Sequence, residues 1–215
     1  MAKTKNIAEK EFGKKHFRVT IFGSARIKKG DEIYKQAYEL SKEIGKQGFD
    51  IVTGGGPGLM EAANSGHMAG DKDNKSSSIG ITIELPFEAS SNPHLEVEKH
   101  FQKFSGRLDQ FMAISNAIIL FSGGIGSCLE LFYTWQLTQV KHINSLPIIL
   151  MGDMWKDLLK WMRSWPLKKG YMSESDFNNI CIATDTAQAL RIIMETNNIY
   201  MEAGDKYSIN FNKYK

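Results

Sequence analysis

Two short stretches hold seven of the chain's nineteen glycines: Gly54, Gly55, Gly56 and Gly58, then Gly123, Gly124 and Gly126. Glycine clustered this tightly marks backbone that turns sharply or passes close to a ligand. Each cluster follows a β-branched run and opens a helical pattern. The second reads Ser122-Gly123-Gly124-Ile125-Gly126-Ser127. Its glycines let backbone N–H groups point inward, and a helix starting there adds about half a positive charge at its first turn. That is anion-binding chemistry, with phosphate the natural ligand. One such loop alone reads better as a packing turn; two on one sheet edge favour a phosphorylated ligand. Neither completes G-x-G-x-x-G, because the sixth position falls on Leu59 and Leu129, and neither is followed by Gly-Lys-Ser/Thr. A mononucleotide or sugar phosphate fits better than NAD or ATP.

The elements that must carry these loops are legible. Residues 17–22, 49–53, 79–84, 117–121, 147–151 and 180–183 are nearly continuous apolar runs, as expected of parallel strands buried on both faces. Helical periodicity spans 31–47, 127–141 and 153–165, with Asp31 placed to cap the first and Gly48 to close it. The alternation predicts a doubly wound α/β fold with a mostly parallel sheet flanked by helices, in one domain over 17–198. Residues 1–16 read as a polar, basic arm or an added helix, and 199–215 as a tail. Residues 85–103 form a long irregular connection, which fits a surface excursion or a functional cover equally.

Composition narrows the class. The chain has 215 residues, 42% hydrophobic and 24% charged, the profile of a globular protein. No apolar stretch reaches the ~18 residues of a membrane span, and the opening residues have no signal-peptide pattern, so a cytoplasmic location is expected. Cys128 and Cys181 cannot build a disulfide framework. The net charge is +3, and residues 1–18 alone carry +4, leaving −1 for the rest. No nucleic-acid or membrane partner is expected from that balance.

At this point the motifs resemble a known family. Gly54-Gly55-Gly56-Pro57-Gly58-Leu59-Met60 is similar to the GGGxGLM motif of the LONELY GUY (LOG) proteins, and Ser122 to Glu130 resembles their PGGxGTxxE motif. Phe22-Gly23-Ser24-Ala25-Arg26 matches the family's opening strand and turn. The likeness runs from about residue 17 to residue 165 in consistent order. It implies a Rossmann-like fold, a homodimer or higher homo-oligomer, and a phosphoribohydrolase that splits a nucleoside 5′-monophosphate, AMP-like, into free base and ribose 5-phosphate. The family was long labelled lysine decarboxylase-like, yet nothing here resembles a pyridoxal-phosphate lysine site. The resemblance implies Arg107 and Glu130 as the catalytic pair. It also implies a substrate- and phosphate-binding set of Gly23, Ser24, Arg26, Gly54, Gly55, Gly56, Gly123, Gly124, Ile125, Gly126 and Ser127. Leu108 stands where the family has lysine, Ser122 where it has proline, and Ser127 where it has threonine.

Read as residues alone, Ser127-x-x-Glu130 fits a capping box better than a catalytic site, and Arg107 fits a solvated helix face. The resemblance reverses both readings. Cleaving a ribosyl–base bond builds positive charge on the sugar; Glu130 would stabilise it or activate water, and Arg107 would orient the substrate. No metal or organic cofactor is expected, since His67 and His94 join no ligand cluster. Cys128 reads as a small apolar residue, Trp155, Leu158, Leu159, Met162 and Trp165 as core or subunit contact, and Glu84 as a weak ribose contact. The rival reading is a non-catalytic nucleotide or cofactor carrier on the same fold.

Overall fold

The computed structural model describes residues 10–12, 16–83 and 91–203. Seven strands form one parallel sheet: β1 (Arg18–Phe22), β2 (Asp50–Thr53), β3 (Ser78–Ile83), β4 (Val97–Phe101), β5 (Ala117–Phe121), β6 (Ile148–Met151) and β7 (Ile180–Ala183). Their spatial order is β4-β3-β2-β1-β5-β6-β7. Among the described residues, six longer α-helices flank them: α1 (Glu32–Lys46), α2 (Leu59–Gly70), α3 (Phe104–Ile114), α4 (Ile125–Gln139), α5 (Asp153–Met162) and α6 (Thr186–Ala203). This is the Rossmann-like doubly wound arrangement expected from the sequence. Among the described residues, no helix is long and apolar enough to cross a membrane.

Strand alternation divides the core into two layers. Ile118 and Leu120 of β5 pack with Phe111, Leu131 and Trp155 under α3, α4 and α5. Ile119 and Phe121 face the other way, against Leu40, Leu59 and Ile193 of α1, α2 and α6. The chain winds outward from β1 to β4, returns through α3 to β5 beside β1, then winds the other way. Loops leaving β1 and β5 therefore diverge to opposite faces and open a crevice, the ligand position of such sheets.

The differences from the expected elements have physical reasons. Part of the long connection over 85–103 is β4, an edge strand whose residues alternate buried Val97 with exposed Glu98 and His100. Its charged face hides it from a search for apolar runs. Helix α6 continues past residue 198, where the domain was expected to end, and Tyr200 packs edge-on against Phe17 at 5.7 Å. Within the expected arm, Phe12 is fully buried, and the buried Arg18 guanidinium donates to the Glu11 carbonyl (2.8 Å) and to Asp50 (3.1 Å). Of the apolar stripe on α5, Trp155 and Leu159 enter the core while Trp165 is exposed, because the helix widens into a π-turn over Arg163–Leu167 that contains Pro166. Glu84 and the tail beyond residue 203 lie outside the described residues.

Helices α1 and α2 meet backbone to backbone. A Cβ on Gly66 would sit 2.2 Å from the Tyr38 carbonyl oxygen, and one on Gly70 would sit 2.0 Å from that of Lys42. In a free helix alanine is favoured over glycine by ~1 kcal/mol. Here the clash is with backbone and cannot be relieved by a side-chain turn. Gly66→Ala is therefore expected to destabilise the protein by about 1–3 kcal/mol, read as a lower urea midpoint.

Candidate functional site

The crevice contains a cavity of about 550 Å³ lined by Phe22, Gly23, Ser24, Ala25, Arg26, Met60, Arg107, Gly124, Ile125, Gly126, Ser127 and Glu130. Most of the site residues singled out in the sequence thus converge, although they come from three separate segments. A larger groove of about 710 Å³ lies along β7 and α5, but it contains no candidate catalytic or phosphate-binding residue and no glycine loop.

The loop after β5 supplies one wall. Helix α4 begins at Ile125 with Gly124 as its N-cap and no side-chain cap. Ser127 is therefore the third helical residue, and the Ser127–Glu130 capping box does not form. The first-turn N–H groups of Ile125, Gly126 and Ser127 have no intrahelical partners by construction, so this wall presents uncapped donors and the positive helix end. A Cβ on Gly124 or Gly126 would meet nothing within 4 Å, so these two glycines leave room beside the donors rather than serving packing. Gly123 differs: its Cβ would overlap the Ser127 hydroxyl at 2.1 Å, and its N–H donates to the Met154 sulfur at 3.3 Å. Ser122, in place of the family proline, lies against Gly152, whose Cβ would sit 2.2 Å from its Oγ.

The turn after β1 forms the second wall. Arg26 N–H donates to Ser24 Oγ (3.1 Å), and Leu59 N–H donates to the Ser24 carbonyl (3.1 Å). Gly58, at φ +68°, makes this junction possible, since a Cβ would sit 2.5 Å from the Ala25 carbonyl oxygen.

The first glycine cluster supports the site instead of lining it. Gly54, Gly55 and Gly56 are buried beneath the cavity, not on its wall, and their carbonyls are already engaged. Gly54 O accepts from Arg107 Nη2 (3.2 Å), and a Cβ there would meet that nitrogen at 2.4 Å. Arg107 Nε also donates to Ile81 O (2.8 Å), and its guanidinium lies 5.5 Å from the Phe111 ring centre. The Gly55 and Gly56 carbonyls accept from Asn92, which the sequence did not single out. Met60, on the cavity wall, was also missed; as an apolar residue inside a motif it carried no chemical signal. Leu108, in place of the family lysine, is buried.

Glu130 is half-buried at the cavity floor, and loss of solvation pushes its carboxyl up to about 8, against the opposing pull of the Arg107 charge. Perturbation of this size in a cleft marks candidate chemistry. The other clusters carry less. Glu11, His16 and Asp50 approach one another at the far end of the sheet, but Asp50 already accepts from Arg18 (3.1 Å) and from Ser77 N–H (2.9 Å). His67 is buried and bonded to the Phe49 carbonyl (2.9 Å), and burial lowers its pKa. Cys128 is half-buried and packs against the core.

The raised carboxyl has a stability consequence with a definite sign. Between its ordinary value of 4.5 and about 8, folded Glu130 keeps a proton that the unfolded chain releases. Stability therefore falls as pH rises through that window. Relative to wild type, Glu130→Gln is expected to gain on the order of 1–3 kcal/mol between about pH 5 and about pH 8. Denaturant melts at the two values would measure it, and parallel curves would refute it.

Comparisons with known proteins give the family and the fold. The profile of a family described as possible lysine decarboxylase matches residues 60–193. A pyrimidine/purine nucleotide 5′-monophosphate nucleosidase of Escherichia coli (strain K12) is 30% identical over 140 residues, 62% of this chain. The matched stretch spans only 30% of that relative's length. Among solved structures, the molybdenum cofactor binding protein of Rippkaea orientalis superposes with a TM-score of 0.61 at 20% identity, covering 83% of this chain and 94% of that one. The molybdenum cofactor carrier protein of Chlamydomonas reinhardtii gives 0.62 at 14% identity, covering 86% and 99%. At such identities these two establish a shared fold.

Proposed function

The chain belongs to the family described as possible lysine decarboxylase, the LOG-like group, and from that premise we propose that it hydrolyses the N-glycosidic bond of nucleoside 5′-monophosphates. One observation carries the reading: an uncapped helix start, a guanidinium and a desolvated carboxyl share one cavity. The nucleosidase relative supports the same chemistry. Decarboxylation of lysine through a Schiff base would need a lysine at the site, and the described residues lining the cavity include none.

In the proposed reaction the 5′-phosphate sits on the N–H groups of Gly124 to Ser127, with the Ser127 hydroxyl and Arg26 at hand. The ribose then lies over Glu130. As the base departs, positive charge grows on the sugar, and ionised Glu130 stabilises it or takes a proton from the attacking water. Arg107 orients the ribose and favours the ionised carboxylate. General acid–base help supplies only ~10²–10⁴-fold, so the rest comes from holding the phosphate and sugar in place.

A panel of 5′-monophosphates, with free base followed over time, tests this. Glu130→Gln and Arg107→Ala should each lose at least ~10²-fold in kcat. Removing the 5′-phosphate should lower kcat as well as affinity, and kcat/KM should rise with pH toward about 8 as Glu130 ionises. Gly126→Ala should keep its melting temperature yet lose nucleotide affinity, since its methyl enters space the fold leaves open. Binding without release of base would support the carrier reading instead, and equal kcat on nucleosides and nucleotides would refute the phosphate's role.

The exposed face of α4 supports a homodimer. Ile125, Leu129 and Phe132 recur at helical spacing and are 90%, 44% and 39% exposed, starting at the cavity lip. A second copy packed there would cover them. Sedimentation equilibrium should give twice the chain mass, and Leu129→Glu should give the monomer.

A further inference from the structure

We infer that Asn92 is a positioning residue of this site: it fixes the glycine loop whose Gly54 carbonyl holds Arg107 in place. The inference rests on the proposed pairing of Arg107 with Glu130. Asn92 is buried, and every polar atom of its side chain is used. Its Nδ2 donates to Gly55 O (3.1 Å), Gly56 O (3.0 Å) and Asn64 Oδ1 (3.0 Å). Its Oδ1 accepts from His94 N–H (3.1 Å), and its own N–H donates to Gly55 O (2.8 Å). This pattern permits one amide orientation, because the flipped group would set oxygen against three acceptors.

The loop has few other ways to stay where it is. Gly55 has φ +75°, a conformation that Asn92 stabilises by drawing the Gly55 carbonyl inward. Thr53 Oγ1 accepts from Gly55 N–H (3.0 Å) and donates to Asn64 Oδ1 (2.7 Å), and Asn64 Nδ2 donates to Ser78 Oγ (2.9 Å). Ser78 Oγ in turn donates to the His94 carbonyl (2.7 Å), closing the network on the segment that carries Asn92. Arg107 grips the same loop from the opposite side, at Gly54 O. A loop relieved of the Asn92 amide leaves the buried Gly56 carbonyl unpaired and the Gly55 carbonyl held by the residue-92 N–H alone, which shifts the acceptor that Arg107 depends on. The long connection noted in the sequence thus contributes a clamp beneath the site. The other charged group on the cavity wall, Arg26, belongs to the turn after β1 and is not tied to Asn92.

A double-mutant cycle separates positioning from simple support. Asn92→Ala should lower kcat about 10–100-fold in the wild-type background but no more than about 2–3-fold when Arg107 is already alanine. Equal losses in both backgrounds would overturn the inference. A second readout does not require turnover: carbon NMR of the Glu130 carboxyl. Its titration should move upward in Asn92→Ala, toward its position in Arg107→Ala, and no further in the double variant. A Glu130 titration unchanged by Asn92→Ala would also overturn the inference, even if no nucleotide proved to be a substrate. Inactive wild-type protein would refute the hydrolase reading alone. Should Asn92→Ala fail to fold, Asn92→Ser, which keeps one donor, enters the same cycle with the same expected pattern.

Discussion

Everything at the site depends on one topological constraint, the reversal of winding between β1 and β5. Parallel strands need crossover connections, and right-handed crossovers force α1 and α2 to one face and α4 and α5 to the other. The two central loops consequently part, and water or a ligand must fill the gap. No side chain creates this crevice; the strand order β4-β3-β2-β1-β5-β6-β7 does. Side chains decide only what the crevice does.

Within it, close approach takes the place of bulk. Gly54 lets the Arg107 guanidinium lie directly against the loop backbone, and Gly58 lets two loops touch at Ala25. Gly124 and Gly126 serve a different end, leaving space open in front of unpaired N–H groups. Glu130 sits where those arrangements leave it poorly solvated, and Arg107 offsets part of that cost. A carboxyl kept out of water is a burden on folding that makes sense if it is answered by charge arising in a bound sugar.

How much of this could be read from the sequence differs by residue. The five inner strands stand out because burial on both faces leaves no alternation to obscure them, whereas β4 hides its one buried residue among Glu98, Lys99 and His100. The glycine clusters were visible as spacing, but not their division of labour: Gly54 to Gly56 and Gly124 to Gly126 look alike in one dimension. Ser127 and Glu130 have capping-box spacing, and only the start of α4 at Ile125 shows that the box is not used. Arg107 was reached through resemblance, since its partners Ile81 and Gly54 are 26 and 53 residues away. Asn92 gave no signal at all; an asparagine in a loop is ordinary until its partners 28 to 37 residues upstream are known.

The sheet order also divides the site by mechanical depth. The turn and helix start that line one side of the cavity grow from β1 and β5, paired on both sides in the middle of the sheet. Asn92 and Arg107 sit just before and just after β4, which among the described residues is an edge strand paired to β3 alone. Sub-global opening begins where fewest contacts must break. The crevice is thus a fixed jaw facing a looser one, and amide exchange should report the Arg107 side releasing long before the start of α4 does.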